Sequence, residues 1–199
     1  MKKVCFVASH LLSGSSPLCE SMNENPRVEH FRLAEWRPYT NMEAVTHDLL
    51  LRKHKNGSSA AVYLDELVKN YDLQTKDVYS WCKFVYVVRP ARPTINLLVA
   101  RKLYKPLAAV RYYCYRLRRL SEMSKRTGGV LLTWDDLVTG RGLPLVESHL
   151  GLKRKLDLPD LEQIKGTSDV LVPFGVSEEA EQSYERYLSL MRSKLNYWH

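Results

Sequence analysis

The chain has 199 residues, 45% of them hydrophobic, and carries a formal net charge of +8. That length supports one well-buried domain spanning 1–199, and that composition excludes a disordered chain. The positive surplus favours an anionic partner: nucleic acid, a phosphorylated cofactor or an acidic glycan.

Taken in order, Val4–Ala8 is an apolar run of strand length. Small residues and proline follow at Ser13–Pro17, and then Leu18 and Met22 share one helical face. Strand, small-residue loop and helix point backbone N–H groups at an anion. In that layout Gly14 allows close backbone approach, and Ser15 or Ser16 adds a hydroxyl. Pro17 suits the first turn, where its missing N–H has no partner to lose. The plainer expectation is that Ser15 or Ser16 simply caps the helix. No lysine follows the glycine, so the nucleoside-triphosphate signature GxxxxGK[ST] is not met.

Val28–Leu33 reads as a short strand containing Glu29 and His30. Met42–His54 has helical spacing, Lys53–Ser59 is a polar loop, and Ala60–Leu64 is a second core strand ending at Asp65. A short helix is expected at Leu67–Tyr71. Phe84–Val88 is the clearest strand, stopped by Arg89-Pro90. Pro93–Leu103 and Pro106–Arg126 read as helices. The second has a core face of Leu107, Val110, Cys114, Leu117, Leu120 and Met123. Arg118, Arg119 and Lys125 on it read as a solvated face, with Arg111 or Arg116 the candidates to meet an acidic acceptor. Val130–Thr133 is a strand, Asp135 and Asp136 suit a helix start, and Leu143–Leu150 is a helix closed by Gly151. Val170–Pro173 reads as an edge strand, and Ser177 as the cap of a last helix with Glu178 and Glu179 in its first turn. Strands alternating with helices predict an α/β three-layer sandwich around a mostly parallel sheet.

Cys5, Cys19, Cys82 and Cys114 form no CxxC pair and no ligand cluster with histidine. Buried reduced thiols fit a cytoplasmic protein. Lys2-Lys3 before an apolar run imitates a signal peptide, but the run is short and His10 interrupts it. No run spans a bilayer and no basic amphipathic segment stands at a terminus, so no membrane partner is expected.

Three pieces then fall at carboxyl ends of predicted parallel strands, the edge where open α/β sheets bind ligands. They are Ser13–Pro17, Arg89–Pro93 and Trp134–Asp136. In order and content they resemble the sulfotransferase family, over about Lys3 to Leu152. Leu11–Leu18 resembles the family's phosphosulfate loop, a basic residue followed by Ser-Gly-Thr-Thr. Lys83–Pro93 resembles its strand and turn that grip a 3′-phosphate. Val130–Leu137 with Leu143–Leu145 and Leu150–Leu152 resembles its late strand, acidic pair and short helix ending in Gly-Leu.

That resemblance implies a P-loop type fold and an enzyme carrying sulfate from 3′-phosphoadenosine 5′-phosphosulfate, with adenosine 3′,5′-bisphosphate as product. The acceptor would be a hydroxyl or amine of a small molecule or carbohydrate. It implies cofactor contacts from Ser13, Gly14, Ser15, Ser16, Pro17 and Leu18 and from Arg89. Leu12 stands where the family has a basic residue. Leu97 stands where it has a serine eight positions after the arginine, with Asn96 the nearest polar neighbour.

The transfer needs a base at the acceptor and positive charge at the leaving phosphate. Base candidates are Glu29 and His30, in a VEHF stretch similar to one in some glycan-modifying members, and then Asp65. His10, if protonated, would supply positive charge beside the loop. Two other readings stand: a nucleotide or small-molecule kinase using Asp135 toward magnesium, and a basic binding module without catalysis. Interleaved Tyr112, Tyr113 and Tyr115 would suit nucleic acid, but at helical spacing they read first as core, so nucleic acid is not the expected partner.

Overall fold

Five runs of the sequence become five parallel strands. They are β1 (Lys3–Ser9), β2 (Val28–Phe31), β3 (Ala60–Asp65), β4 (Cys82–Val88) and β5 (Val130–Thr133), in the order β2-β3-β1-β4-β5. The computed structural model describes residues 3–25, 28–31, 60–65, 82–158, 161 and 174–197, with backbone alone at 3–4, 29–31, 60–65 and 174–177. The predicted helices Met42–His54 and Leu67–Tyr71, the loop Lys53–Ser59 and the edge strand Val170–Pro173 lie outside the described residues.

Successive side chains of a strand face opposite ways, so β1 and β4 each fill two cores. Phe6 and Ala8 of β1 and Phe84, Tyr86 and Val88 of β4 face one layer. That layer holds α2 (Ala91–Ala100), α3 (Pro106–Thr127) and α6 (Phe174–Arg192). Cys5, Val7, Val85 and Val87 face the other. That layer holds α1 (Ser15–Asn23), α4 (Trp134–Val138) and α5 (Leu143–Leu150). The result is the expected three-layer α/β sandwich, with every described strand pair parallel. Near the carboxyl terminus Asn196 bonds Gly129 and Leu131 across the outer side of β5, covering part of that edge.

Two helices differ from their sequence signals. On α3, Leu107 is 52% exposed and Cys114 half-buried, while Tyr113 and Arg116 are buried. The reason is position. Arg116 lies level with Ser9, the end of β1. From that level the buried face runs back through Tyr113 to Val110 and Ala109, and Leu107 falls outside it. The last helix begins at Phe174, so Ser177 lies inside it and does not cap it, and Glu178 and Glu179 fall after the first turn. A serine is only a local preference for a helix start, which the gain from extending an amphipathic helix overrides.

All four cysteines are outside any disulfide. No helix among the described residues is long and apolar enough to cross a membrane.

Candidate functional site

The chain leaves β1 and β4 toward opposite faces of the sheet. After β1 it enters α1 on one face. After β4 it enters α2 on the other. Adjacent parallel strands whose connections diverge leave a crevice between their carboxyl ends. The loop His10–Gly14 and Arg89 form the two sides of that crevice.

The loop is tight and polar. Gly14 is the residue before α1, with φ 95, and no side chain caps the helix. This corrects the capping expectation: the Ser15 hydroxyl instead accepts from Ser9 at 2.9 Å and Ser13 at 3.3 Å. The first turn contains no acidic residue, so the helix amino end keeps its positive potential toward the crevice. Ser16 is exposed and Pro17 half-buried. Leu18 is fully buried in the core below, and its N–H donates to Gly14 O.

Gly14 also has a packing duty. A Cβ there would stand 2.9 Å from Leu137 Cδ1 and 3.1 Å from Trp134 Cζ3. The glycine seats the loop on α4, besides supplying a left-handed backbone.

Arg89 is almost wholly buried, at 1% exposure. Its Nη1 donates to Leu12 O at 3.3 Å, and its Cζ lies 3.9 Å from the centre of the Trp134 ring. Stacking uses the face of a guanidinium and hydrogen bonding uses its edge, so the two do not compete. Burial first, and then Arg101, pull its pKa down to about 10, which leaves it charged at neutral pH. Trp134 is held in turn by its own helix start. Thr133 and Asp136 close a capping box around it, with Thr133 N–H 2.8 Å and Thr133 Oγ1 2.7 Å from Asp136 Oδ2.

His10 is fully buried. The Arg89 N–H donates to its Nε2 at 2.9 Å, so that nitrogen carries no proton; Nδ1 therefore carries it and donates to Leu11 O at 3.0 Å. Burial, then the charges of Arg116 and Arg89, pull its pKa down to about 4. The expected positive charge at His10 is thus overturned: a neutral ring is what this pocket accommodates.

Helix α3 adds three groups, of which the sequence offered only Arg116, and that one for an acidic acceptor. Tyr112 Oη accepts from Leu11 N at 2.8 Å, Tyr113 Oη donates to Arg89 O at 2.6 Å, and Arg116 Nε donates to Ser9 O at 2.8 Å. Arg118 and Arg119 instead pair with Glu122 on the outer face, as expected.

The other sequence candidates lie at different heights. Strand register sets Asp65 beside Ala8, next to β1's carboxyl end. It sets Glu29 and His30 two strands from β1, level with Val4 and Cys5. His30 is thus four residues, or about 13 Å, below Ser9. Asn96 and Leu97 are buried on α2, about 8–9 Å along the helix from its start. A separate cleft of about 650 Å³, lined by His149, Arg192, Asn196 and Tyr197, lies at the start of β5, the opposite edge of the sheet.

No protein-family profile and no curated protein sequence matches the chain. Solved structures do. A sulfotransferase from Alicyclobacillus acidocaldarius superposes with a TM-score of 0.53 at 9% identity, covering 97% of this chain and 95% of that one. The sulfotransferase domain of the Synechococcus PCC 7002 olefin synthase gives 0.50 at 12% identity, with the same coverage. The fold is sulfotransferase-like. At such identities the likeness concerns the path of the backbone, and chemistry has to be argued from the site.

Proposed function

We propose that this chain is a sulfotransferase using 3′-phosphoadenosine 5′-phosphosulfate, with a hydroxyl or amine of a small molecule or carbohydrate as acceptor. The observation that carries the reading is the pairing of an uncapped, serine-lined helix start with a buried, stacked arginine at one switch point of a sulfotransferase-like sheet.

The residues present fit a nucleotide with two phosphate groups. The amino end of α1 with Ser13, Ser15 and Ser16 would hold the 5′ side, and Arg89 the 3′-phosphate, with Asn96 and Leu97 behind it. Bound there, the cofactor supplies an activated sulfuryl group on a phosphate leaving group. The chain's own part is to orient it, to offset the negative charge left on the phosphate, and to take the acceptor's proton. With Leu12 in the loop, that charge would be met by the backbone dipoles at the amino end of α1. Of the proposed bases, Asp65 stands nearest the loop by register, with Glu29 and His30 the alternatives lower in the sheet.

The test is titration with adenosine 3′,5′-bisphosphate and with adenosine 5′-phosphate, followed by calorimetry. Charge-assisted bonds to phosphate contribute on the order of 1.5–3 kcal/mol each. Arg89→Ala should weaken the bisphosphate about tenfold or more and leave the monophosphate nearly unchanged. Equal losses for both nucleotides would remove Arg89 from the 3′-phosphate. Absence of binding to either by the parent would end the reading.

A further inference from the structure

We propose that His10 is a positioning residue: as the neutral, Nδ1-protonated imidazole it fixes the backbone from which Arg89 reaches an anion, and Tyr113 is the other half of the same clamp. The inference deepens the sulfuryl-transfer reading and takes from it only the identity of the ligand.

The ladder of β4 stops at Val88, paired with Thr133. Arg89 therefore carries its N–H and C=O into a buried space beyond the sheet, where each needs a partner. Both partners are side chains. His10 Nε2 takes the N–H at 2.9 Å, and the Tyr113 hydroxyl donates to the carbonyl at 2.6 Å. The two clamp rings also touch each other, edge to face, with centroids 5.1 Å apart. His10 Nδ1 ties the clamp to Leu11 O, within the loop whose next carbonyl, Leu12 O, receives the Arg89 guanidinium. One rigid ring thus sets the arginine's backbone against the loop that its guanidinium also touches.

An imidazole suits this place because it carries an acceptor and a donor on one stiff frame. A proton on Nε2 would face the Arg89 N–H and break the clamp. The charged and titratable groups around the ring are Arg89 at the end of β4 and Arg116 and Tyr113 of α3. Both cations disfavour a second proton on it.

A double-mutant cycle tests the clamp. His10→Phe, Arg89→Ala and the pair are compared for affinity to adenosine 3′,5′-bisphosphate. His10→Phe should weaken binding about tenfold in the parent background and cause no further loss in Arg89→Ala, because His10 acts through that arginine. His10→Gln, which keeps an acceptor and a donor, should recover most of the loss. Parent affinity should show no titration of His10 between pH 8 and 5. Equal losses in both backgrounds, or no rescue by glutamine, would overturn the clamp. If the parent binds no bisphosphate, the sulfuryl-transfer reading fails separately, and the same cycle with inorganic sulfate decides the clamp by the presence or absence of coupling. If His10→Phe does not fold, the imidazole nitrogen shifts of the parent decide it: an Nδ1–H tautomer supports the clamp, and an Nε2–H or doubly protonated ring at pH 7 overturns it.

Discussion

Gly14 and His10 sit four residues apart in one loop, and each gives a measurable consequence of its burial. At Gly14 the backbone has φ 95, and an added Cβ would meet Leu137 and Trp134 at 2.9 and 3.1 Å. Gly14→Ala should therefore cost about 1–3 kcal/mol of stability, from left-handed strain and displacement of α4. It should also weaken nucleotide binding, since α4 carries the indole under Arg89. A urea-unfolding midpoint equal to the parent's would contradict this. His10 predicts a pH dependence. Its folded-state pKa, about 4, lies below its ordinary value of about 6.5, so the unfolded chain binds the proton more readily. The stability it contributes is complete above about pH 6.5 and is lost as pH falls toward 4. The total is on the order of 3 kcal/mol. Unfolding midpoints at pH 7, 5.5 and 4.5 should fall for the parent and fall less steeply for His10→Gln, where the titrating ring is gone. Parallel slopes would mean that His10 takes up its proton in the folded state as easily as in the unfolded one.

Among the elements, α4 is the shortest helix described and still carries one wall of the site. Its start depends on the reciprocal Thr133–Asp136 cap, and its first residue is Trp134. Thr133→Val removes the hydroxyl that accepts from Asp136 N and donates to Asp136 Oδ2, and leaves the Thr133 N–H bond to that carboxylate. A lost cap costs about 1 kcal/mol, or roughly 2–4 °C in Tm for a chain of this size. Because the cap holds the indole beneath Arg89, the variant should also weaken adenosine 3′,5′-bisphosphate more than adenosine 5′-phosphate. A fall in Tm with no change in that ratio would detach the cap from the site. What the sequence made legible follows the same division between local and distant causes. The strand ending at Val88 was readable because its β-branched and aromatic run is a local signal, and Gly151 and Asp136 were readable as helix punctuation for the same reason. Tyr113 read as core, and Arg116 only as a candidate for an acidic acceptor, because their roles depend on α3 lying against Arg89 and Ser9, 24 and 107 residues away. That His10 stays unprotonated was not legible, because the N–H that occupies its Nε2 belongs to a residue 79 positions distant.

The whole molecule sets the terms on which the competing functions separate. Its charge of +8 attracts any polyanion, so attraction alone distinguishes little. The sheet order β2-β3-β1-β4-β5 narrows the place, putting one crevice between β1 and β4, with Arg89 and the serine loop on its two sides. A ligand that fills this crevice joins groups from three adjacent strand ends and so stabilises the entire fold. At one hundred times its Kd such a ligand adds about 2.7 kcal/mol. For a domain of this size that is a rise in Tm of roughly 5–10 °C. We expect this rise with adenosine 3′,5′-bisphosphate, and expect it undiminished by a chelator, because in the proposed binding mode Arg89 and helix N–H groups would meet the charge of the phosphates. A rise seen only with a nucleoside triphosphate and magnesium would favour the kinase reading and direct attention to Asp135, which is exposed on the first turn of α4. A rise with a long polyanion but with neither nucleotide, falling steeply with salt, would favour the binding-module reading. Moderate salt should lower the bisphosphate affinity only modestly, since Arg89, the arginine proposed to meet the 3′-phosphate, is buried and screening acts chiefly on exposed charge.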